Sequence, residues 1–195
     1  MKYLNIICKR LTALLSAVLR RFLRLVSSAE EDDASIMQQR IELYRGRGMK
    51  IGENCYISDV TFGQDGKDPI IVGNNCVLTK CIILGHDASP ALYIRELQGK
   101  GLFDRISISR TTEIKDDCFV GVNAIIMGGV TVGPRSIVGA GSVVTRDVPS
   151  GVVVTGNPAR VICTIEAYIE KHRRQMQGHP EWYPGLKLKH PDNHA

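Results

Sequence analysis

The chain has 195 residues, 44% of them hydrophobic and 6% aromatic, with 19 glycines. That length suffices for one domain with its own core, and so many glycines against so few aromatics disfavour a helical bundle. The formal charge is +5, but six of the 25 Lys and Arg residues fall within residues 1–27, which leaves 19 of them against all 20 acidic residues; a body this close to neutral excludes a general nucleic-acid binder, whose basic side chains would line the folded surface.

Residues 1–28 predict a basic amphipathic helix. At 100° per residue, Lys2, Lys9, Arg10, Arg20, Arg21 and Arg24 share about one third of the wheel. Leu4, Leu11, Leu15, Val18, Phe22, Leu25 and Val26 cluster opposite them, with Ile6 and Leu23 as exceptions. The longest uncharged run, Leu11–Leu19, is too short to span a bilayer. Arg20 and Arg21 interrupt the apolar stretch that a signal peptide would need. The expectation is a helix lying on an anionic membrane surface, which would make a cytoplasmic protein peripheral on the inner face of the cell membrane. The alternative is a helix that packs on the assembled protein. Residues 29–50 read as a linker and helical lead-in.

From residue 51 the pattern changes. Ile108, Ile114, Val120, Ile126, Val132, Val138 and Val144 recur every sixth residue. The fifth position of each hexad is small or β-branched: Thr112, Cys118, Ala124, Val130, Ser136, Ser142 and Val148. The same register reads at Ile51, Ile57, Val72, Leu78 and Leu84, with Cys55, Thr61, Cys76 and Ala88 in fifth positions. A strict period of six fits neither a 3.6-residue helix nor a flat sheet. It fits a parallel β-helix of three flat faces, one aliphatic residue per face pointing inward, over residues 51–162. Small residues suit its corners, and Gly or Asn its turns. Of the six cysteines, Cys55, Cys76 and Cys118 are thereby repeat residues. None of the six forms a C-x-x-C pair, which disfavours a zinc ribbon, and reduced thiols are expected.

Two breaks interrupt the period, at 63–71 and at 90–107. The second has the length of a whole coil, but Pro90 and Glu96 fail as inward residues, so it reads as a loop thrown out of the solenoid. Ordered loops on a rigid scaffold commonly carry function. His86 is the lone histidine before residue 172 and stands just ahead of this loop. As third residue of the hexad starting at Leu84 it is expected to face outward. An imidazole there suits a general base. Asp87 is its neighbour, and Ser89 lacks the setting of an activated nucleophile.

The hexads, "GHDAS" at 85–89, "GAGSVVTRD" at 139–147 and "GNPAR" at 156–160 resemble the hexapeptide-repeat acyltransferases, over roughly residues 50–172. The likeness is greatest to the sugar O-acetyltransferases of surface-polysaccharide and lipopolysaccharide synthesis in bacteria. The resemblance implies a left-handed β-helix, a homotrimer with each site between two prisms, and direct transfer from acetyl-CoA with His86 as the base. It implies coenzyme contacts at Val122, Ala140, Thr145, Arg146 and Arg160. Small residues such as Ala140 and Gly141 would admit a thin pantetheine chain, and the arginines can pair with phosphates. Relatives often carry a second basic residue three places beyond Arg160, where this chain has Cys163.

Residues 163–195 complete the chain as a helix, over 164–176, and a Pro-rich tail anchored by Trp182 and Tyr183. His172, His179, His190 and His194 match no metal-ligand spacing, and no metal is expected. The expected activity is acetyl transfer to a hydroxyl of a sugar or glycan acceptor, lipid-linked glycans included. Its alternatives are N-acetylation of an amino sugar nucleotide, acetylation of a xenobiotic, and a non-enzymatic solenoid module. Hydration chemistry of the carbonic anhydrase kind needs three histidine ligands, and this repeat region has one.

Overall fold

The computed structural model describes residues 35–63, 70–98 and 107–184. The expected membrane helix at 1–28 lies outside these residues, as do the end of the tail and parts of both breaks. Residues 35–46 form a helix, α1. No described helix is long and apolar enough to cross a membrane.

The repeat region is a three-faced parallel β-helix. One face stacks Lys50–Ile51, Ile70–Val72, Thr112–Ile114 and Thr131–Val132. The second stacks Tyr56–Ser58, Val77–Thr79, Phe119–Val120, Ile137–Val138 and Val152–Gly156, and closes with the antiparallel strand Ala159–Thr164. The third stacks Thr61–Gly63, Ile82–Leu84, Ile125–Ile126 and Val143–Val144. Chain order visits the three faces in rotation, so each circuit is one coil.

The core is three inward rows. Ile51, Val72, Ile114 and Val132 stack on the first face. Ile57, Leu78, Val120, Val138 and Val154 stack on the second. Phe62, Ile83, Ile126 and Val144 stack on the third. All but Phe62 are buried, and each fully buried aliphatic side chain contributes roughly 1.5–3 kcal/mol. Corner residues fill the gaps between rows. On one edge their side chains donate to a carbonyl of the following coil: Cys55 Sγ to Gly73 at 3.1 Å, Cys76 Sγ to Lys115 at 3.1 Å, Cys118 Sγ to Gly133 at 3.1 Å, and Ser136 Oγ to Pro149 at 2.8 Å. This explains why three cysteines and a serine serve the same corner. Both are small, and both carry a donor that satisfies a backbone acceptor. The turns on that edge take left-handed dihedrals at Asn54, Asn75, Asp117 and Arg135, and Asn75 bridges Asn54 and Asp117 through amide hydrogen bonds of 3.3 and 3.1 Å.

The early register differs from the six-residue expectation. Ile83 is fully buried and Leu84 only half-buried. The step from second to third face is five residues in the first two coils (Ile57 to Phe62, Leu78 to Ile83) and six thereafter. Val60 and Cys81 consequently fill the corner, while Thr61 and Ala88 are exposed. Cys81 is thus a fourth repeat cysteine. Ile108 is not an inward face residue either, because it lies in the neck of the excursion.

The breaks also shift. Gly63 and residues 70–71 belong to strands, so the first break narrows to 64–69, outside the described residues. Regular coils take 18 residues, as from Glu113 to Thr131, and the coil from Ile71 to Glu113 takes 42. The difference, 24, is the length of residues 86–109, so the excursion is longer than the expected 90–107. After the last coil, Thr164 caps α2 (Ile165–Gly178) by accepting a hydrogen bond from Ala167 N at 3.2 Å. Arg135 pairs with Glu166 at 3.0 Å. A short 3-10 turn, Pro180–Trp182, follows. Tyr183 reaches His172 at 3.4 Å, whereas Trp182 stays exposed and stacks on His179.

Candidate active site

His86 is the first residue of the excursion. The inward row on the third face ends its turn at Ile83, and Leu84 and Gly85 carry the chain to the corner. There His86–Asp87 pairs antiparallel with Ile108–Ser109, His86 opposite Ser109. The loop thus leaves and returns through a two-residue ladder. Arg110 N closes the neck by donating to Gly85 O at 3.0 Å. Buried Thr112 pins it from behind: its hydroxyl donates to Leu84 O at 2.6 Å and accepts from Gly129 N at 2.9 Å. The histidine therefore stands on fixed backbone although the excursion it begins is long. The residue is half-buried and its Nδ1 is buried.

The next coil passes close behind it. A Cβ on Gly128 would come within 3.2 Å of His86 N, so any larger residue there would press on the backbone that carries the imidazole. Beside His86 lies a recess of about 110 Å³ lined by Asp87, Ile108, Arg110, Met127 and Gly128. Asp87 is exposed and accepts from Ser89 N at 2.8 Å. The hydrogen bonding with Ser89 holds its carboxyl below the usual range, and the nearby Arg110 guanidinium acts in the same direction. One carboxylate oxygen is thus held by the turn that opens at Ser89 (Ser89–Leu92). Ser89 itself is exposed.

The other candidate residues divide between two edges of the prism. Thr145 and Arg146 lie at the end of the third face, the edge of His86, one coil beyond Met127, whose N donates to Val144 O at 3.0 Å. Val122 and Ala140 lie on the opposite edge of that face. They stack on successive coils, with Gly141 N donating to Val122 O at 2.8 Å. The turn Gly156–Ala159, with its cis Asn157–Pro158 peptide, follows the last second-face strand, and Gly156 N donates to Ser142 Oγ at 3.1 Å. Arg160 stands just beyond this turn, opposite Thr155, with Nη1 donating to Ala159 O at 2.8 Å. Val122, Ala140, Thr145, Arg146 and Arg160 are all exposed. Within one chain, His86, Thr145 and Arg146 share an edge that Val122 and Ala140 do not. Sequence reasoning missed Arg110, which is 24 residues from His86 along the chain and becomes its neighbour only when the neck closes.

Chemically, the edge offers a cation and a carboxylate lining a small recess, with half-buried His86 preceding that carboxylate in the chain. The matching relatives agree with the prism. Residues 111–146 match the family described as "Bacterial transferase hexapeptide (six repeats)". Protein CapG of Staphylococcus aureus is 36% identical over 130 residues, 65% of this chain and 72% of that protein. A 2,3,4,5-tetrahydropyridine-2,6-dicarboxylate N-acetyltransferase of Clostridium perfringens is 53% identical over 53 residues, 27% of this chain; the chain spans only 22% of that enzyme's length. Among solved structures, a hexapeptide-repeat-containing acetyltransferase of Vibrio cholerae superposes with a TM-score of 0.52 at 32% identity, covering 60% of this chain and 62% of that one. The polySia-specific acetyltransferase NeuO superposes with a TM-score of 0.51 at 32% identity, covering 60% and 48%. The three-faced prism, the repeat match and the likeness to CapG together establish that this chain belongs to the hexapeptide-repeat transferase family.

Proposed function

We propose that the chain is an acetyl-CoA-dependent O-acetyltransferase that modifies a sugar hydroxyl in cell-surface glycan synthesis, on a left-handed prism assembled as a homotrimer. The observation that carries this reading is His86, held by the neck of a 24-residue excursion beside a polar recess. His86 takes the proton of the acceptor hydroxyl as its oxygen bonds to the acetyl carbon, and the imidazolium returns that proton to the departing thiolate. No covalent enzyme intermediate is needed, because the thioester is already activated.

The donor fits the surface of the prism. Ala140 and Gly141 leave the corner backbone open to a slender amide chain, Val122 supplies an exposed apolar wall, and Thr145, Arg146 and Arg160 offer a hydroxyl and two cations for the far end of the donor. These groups lie on both edges of the third face. In a trimer, the edge of His86 on one chain would meet the coenzyme edge of the next. The outward rows support such packing. The second face presents Tyr56, Val77, Phe119 and Ile137, and the third presents Ile82, Ile125 and Val143 below a single Thr61. The first face presents Lys50, Ile71, Glu113 and Thr131 instead. Two apolar faces and one polar face suit a prism that buries two faces and wets the third.

Residues 1–27 would bring this cytoplasmic trimer to the inner face of the membrane, where lipid-linked acceptors lie. The likeness to NeuO supports a glycan acceptor. The local likeness to N-acetyltransferases favours a second reading with the same base and an amine acceptor. Thiol release from acetyl-CoA, measured across a panel of sugars, glycolipids and amino sugar nucleotides, separates them: hydroxyl sugars should support turnover, and turnover confined to amines would favour the second.

A further inference from the structure

Resting on the acetyl-transfer reading, we infer that Arg110 positions the acceptor by pairing with a carboxylate on it, so that the acceptor is an acidic sugar.

Arg110 is tied to the site by backbone. Its amide donates to Gly85, the residue before His86, and the preceding Ser109 faces His86 across the neck. Its side chain is laid down by a glycine. Gly129 has φ +84°, and a Cβ there would come within 2.9 Å of the Arg110 Cβ and 2.7 Å of its Cδ. Only a residue without a side chain lets the arginine stem cross this coil. The arginine then lines the recess beside His86, and among the described residues no carboxylate is hydrogen-bonded to its guanidinium.

The recess specifies the ligand further. About 110 Å³ accommodates a carboxylate, and the guanidinium fork matches a carboxylate in bidentate geometry. Ile108 and Met127 supply apolar walls beside that pair, and Arg110 itself is exposed and open to an incoming ligand. Asp87 lines the same recess and has one oxygen taken by Ser89. A doubly charged phosphate would meet that carboxylate unfavourably. A singly charged carboxylate meets less repulsion from Asp87 than a phosphate would and can still pair with the Arg110 fork, while the second Asp87 oxygen can accept from a sugar hydroxyl beside it.

The test compares acid and ester forms of one acceptor. The methyl glycosides of N-acetylneuraminic acid and glucuronic acid, and the methyl ester of each, are offered to the wild type, Arg110→Ala and Arg110→Lys with saturating acetyl-CoA. The wild type should prefer the acids. Arg110→Ala should lower kcat/KM for an acid by about 10- to 100-fold, mainly through KM, as loss of a charge-assisted pair does. It should lower activity on the esters far less than on the acids and leave the KM for acetyl-CoA near the wild-type value, with partial recovery on the acids in Arg110→Lys. Equal use of acid and ester by the wild type, or equal losses on both in Arg110→Ala, would overturn the assignment. Binding of the same acids is followed by ligand-observed NMR. If no sugar is acetylated by the wild type, the sugar-hydroxyl reading fails; acids that still bind the wild type and not Arg110→Ala would uphold the carboxylate pairing, and acids that bind both or neither would overturn it.

Discussion

His86 and Ser109 face each other as ladder partners at the neck of the excursion. The 24-residue insert in that coil therefore begins and ends beside the imidazole. The loop can vary in sequence and reach without displacing His86, because the neck is fixed separately by Arg110 N on Gly85 and Thr112 on Leu84. Such a separation of scaffold and loop is how a repeat fold can keep one chemistry while changing acceptors.

Ile83→Ala should destabilise the fold by about 2–5 kcal/mol, the range for deleting a buried aliphatic side chain. Leu84→Ala, at a half-buried position, should cost clearly less. Chemical denaturation of both variants checks the register directly. A larger loss at Leu84 would restore the uninterrupted six-residue step.

The inward rows from Ile114 to Val144 were legible because aliphatic residues recur at six with polar or small residues between. The five-residue step was not. Ile82, Ile83 and Leu84 are all aliphatic, so periodicity cannot choose among them; stacking between Phe62 and Ile126 does. The same slip concealed the corner role of Cys81. His86 stood out as an isolated imidazole before a broken pattern, but its partners Ser109 and Arg110 are distant along the chain. Nothing local marks them, since strand pairing at a loop neck is a property of closure.

Cys76, Cys81 and Cys118 should resist thiol reagents at pH 8 in the folded protein and react on unfolding. Burial raises the Cys81 thiol from 9.0 to about 11 and raises Cys118 as well. Cys55 beside it, with burial, raises Cys76. A thiol whose folded pKa is raised stabilises the fold below its unfolded value and ceases to do so as pH climbs through the folded one. The Cys81 contribution should therefore fade between about pH 9 and 11. Rapid modification of Cys81→Ala and wild type alike, at all remaining sites, would contradict this burial.

Arg160→Ala should raise the KM for acetyl-CoA more than that for dephospho-acetyl-CoA, if Arg160 meets the 3′-phosphate. Steady-state kinetics with both donors decides. Equal increases would remove that contact while leaving the groove intact.

The full-length chain should float with anionic vesicles, less so at high salt. A chain beginning at Glu30 should remain in solution and still acetylate a water-soluble acceptor. Flotation gradients with both proteins, and their masses in solution, give the answer. If the full-length protein ignores the vesicles and the shortened one loses its trimer, residues 1–27 are an assembly element.

The general-base role of His86 is tested most directly by His86→Ala, with thiol release from acetyl-CoA measured on an acceptor that the wild type uses. Turnover should fall about a hundredfold or more, while the mass in solution and the affinity for acetyl-CoA stay near wild-type values. Turnover close to wild type in a correctly assembled variant would contradict the assignment of His86 as the base.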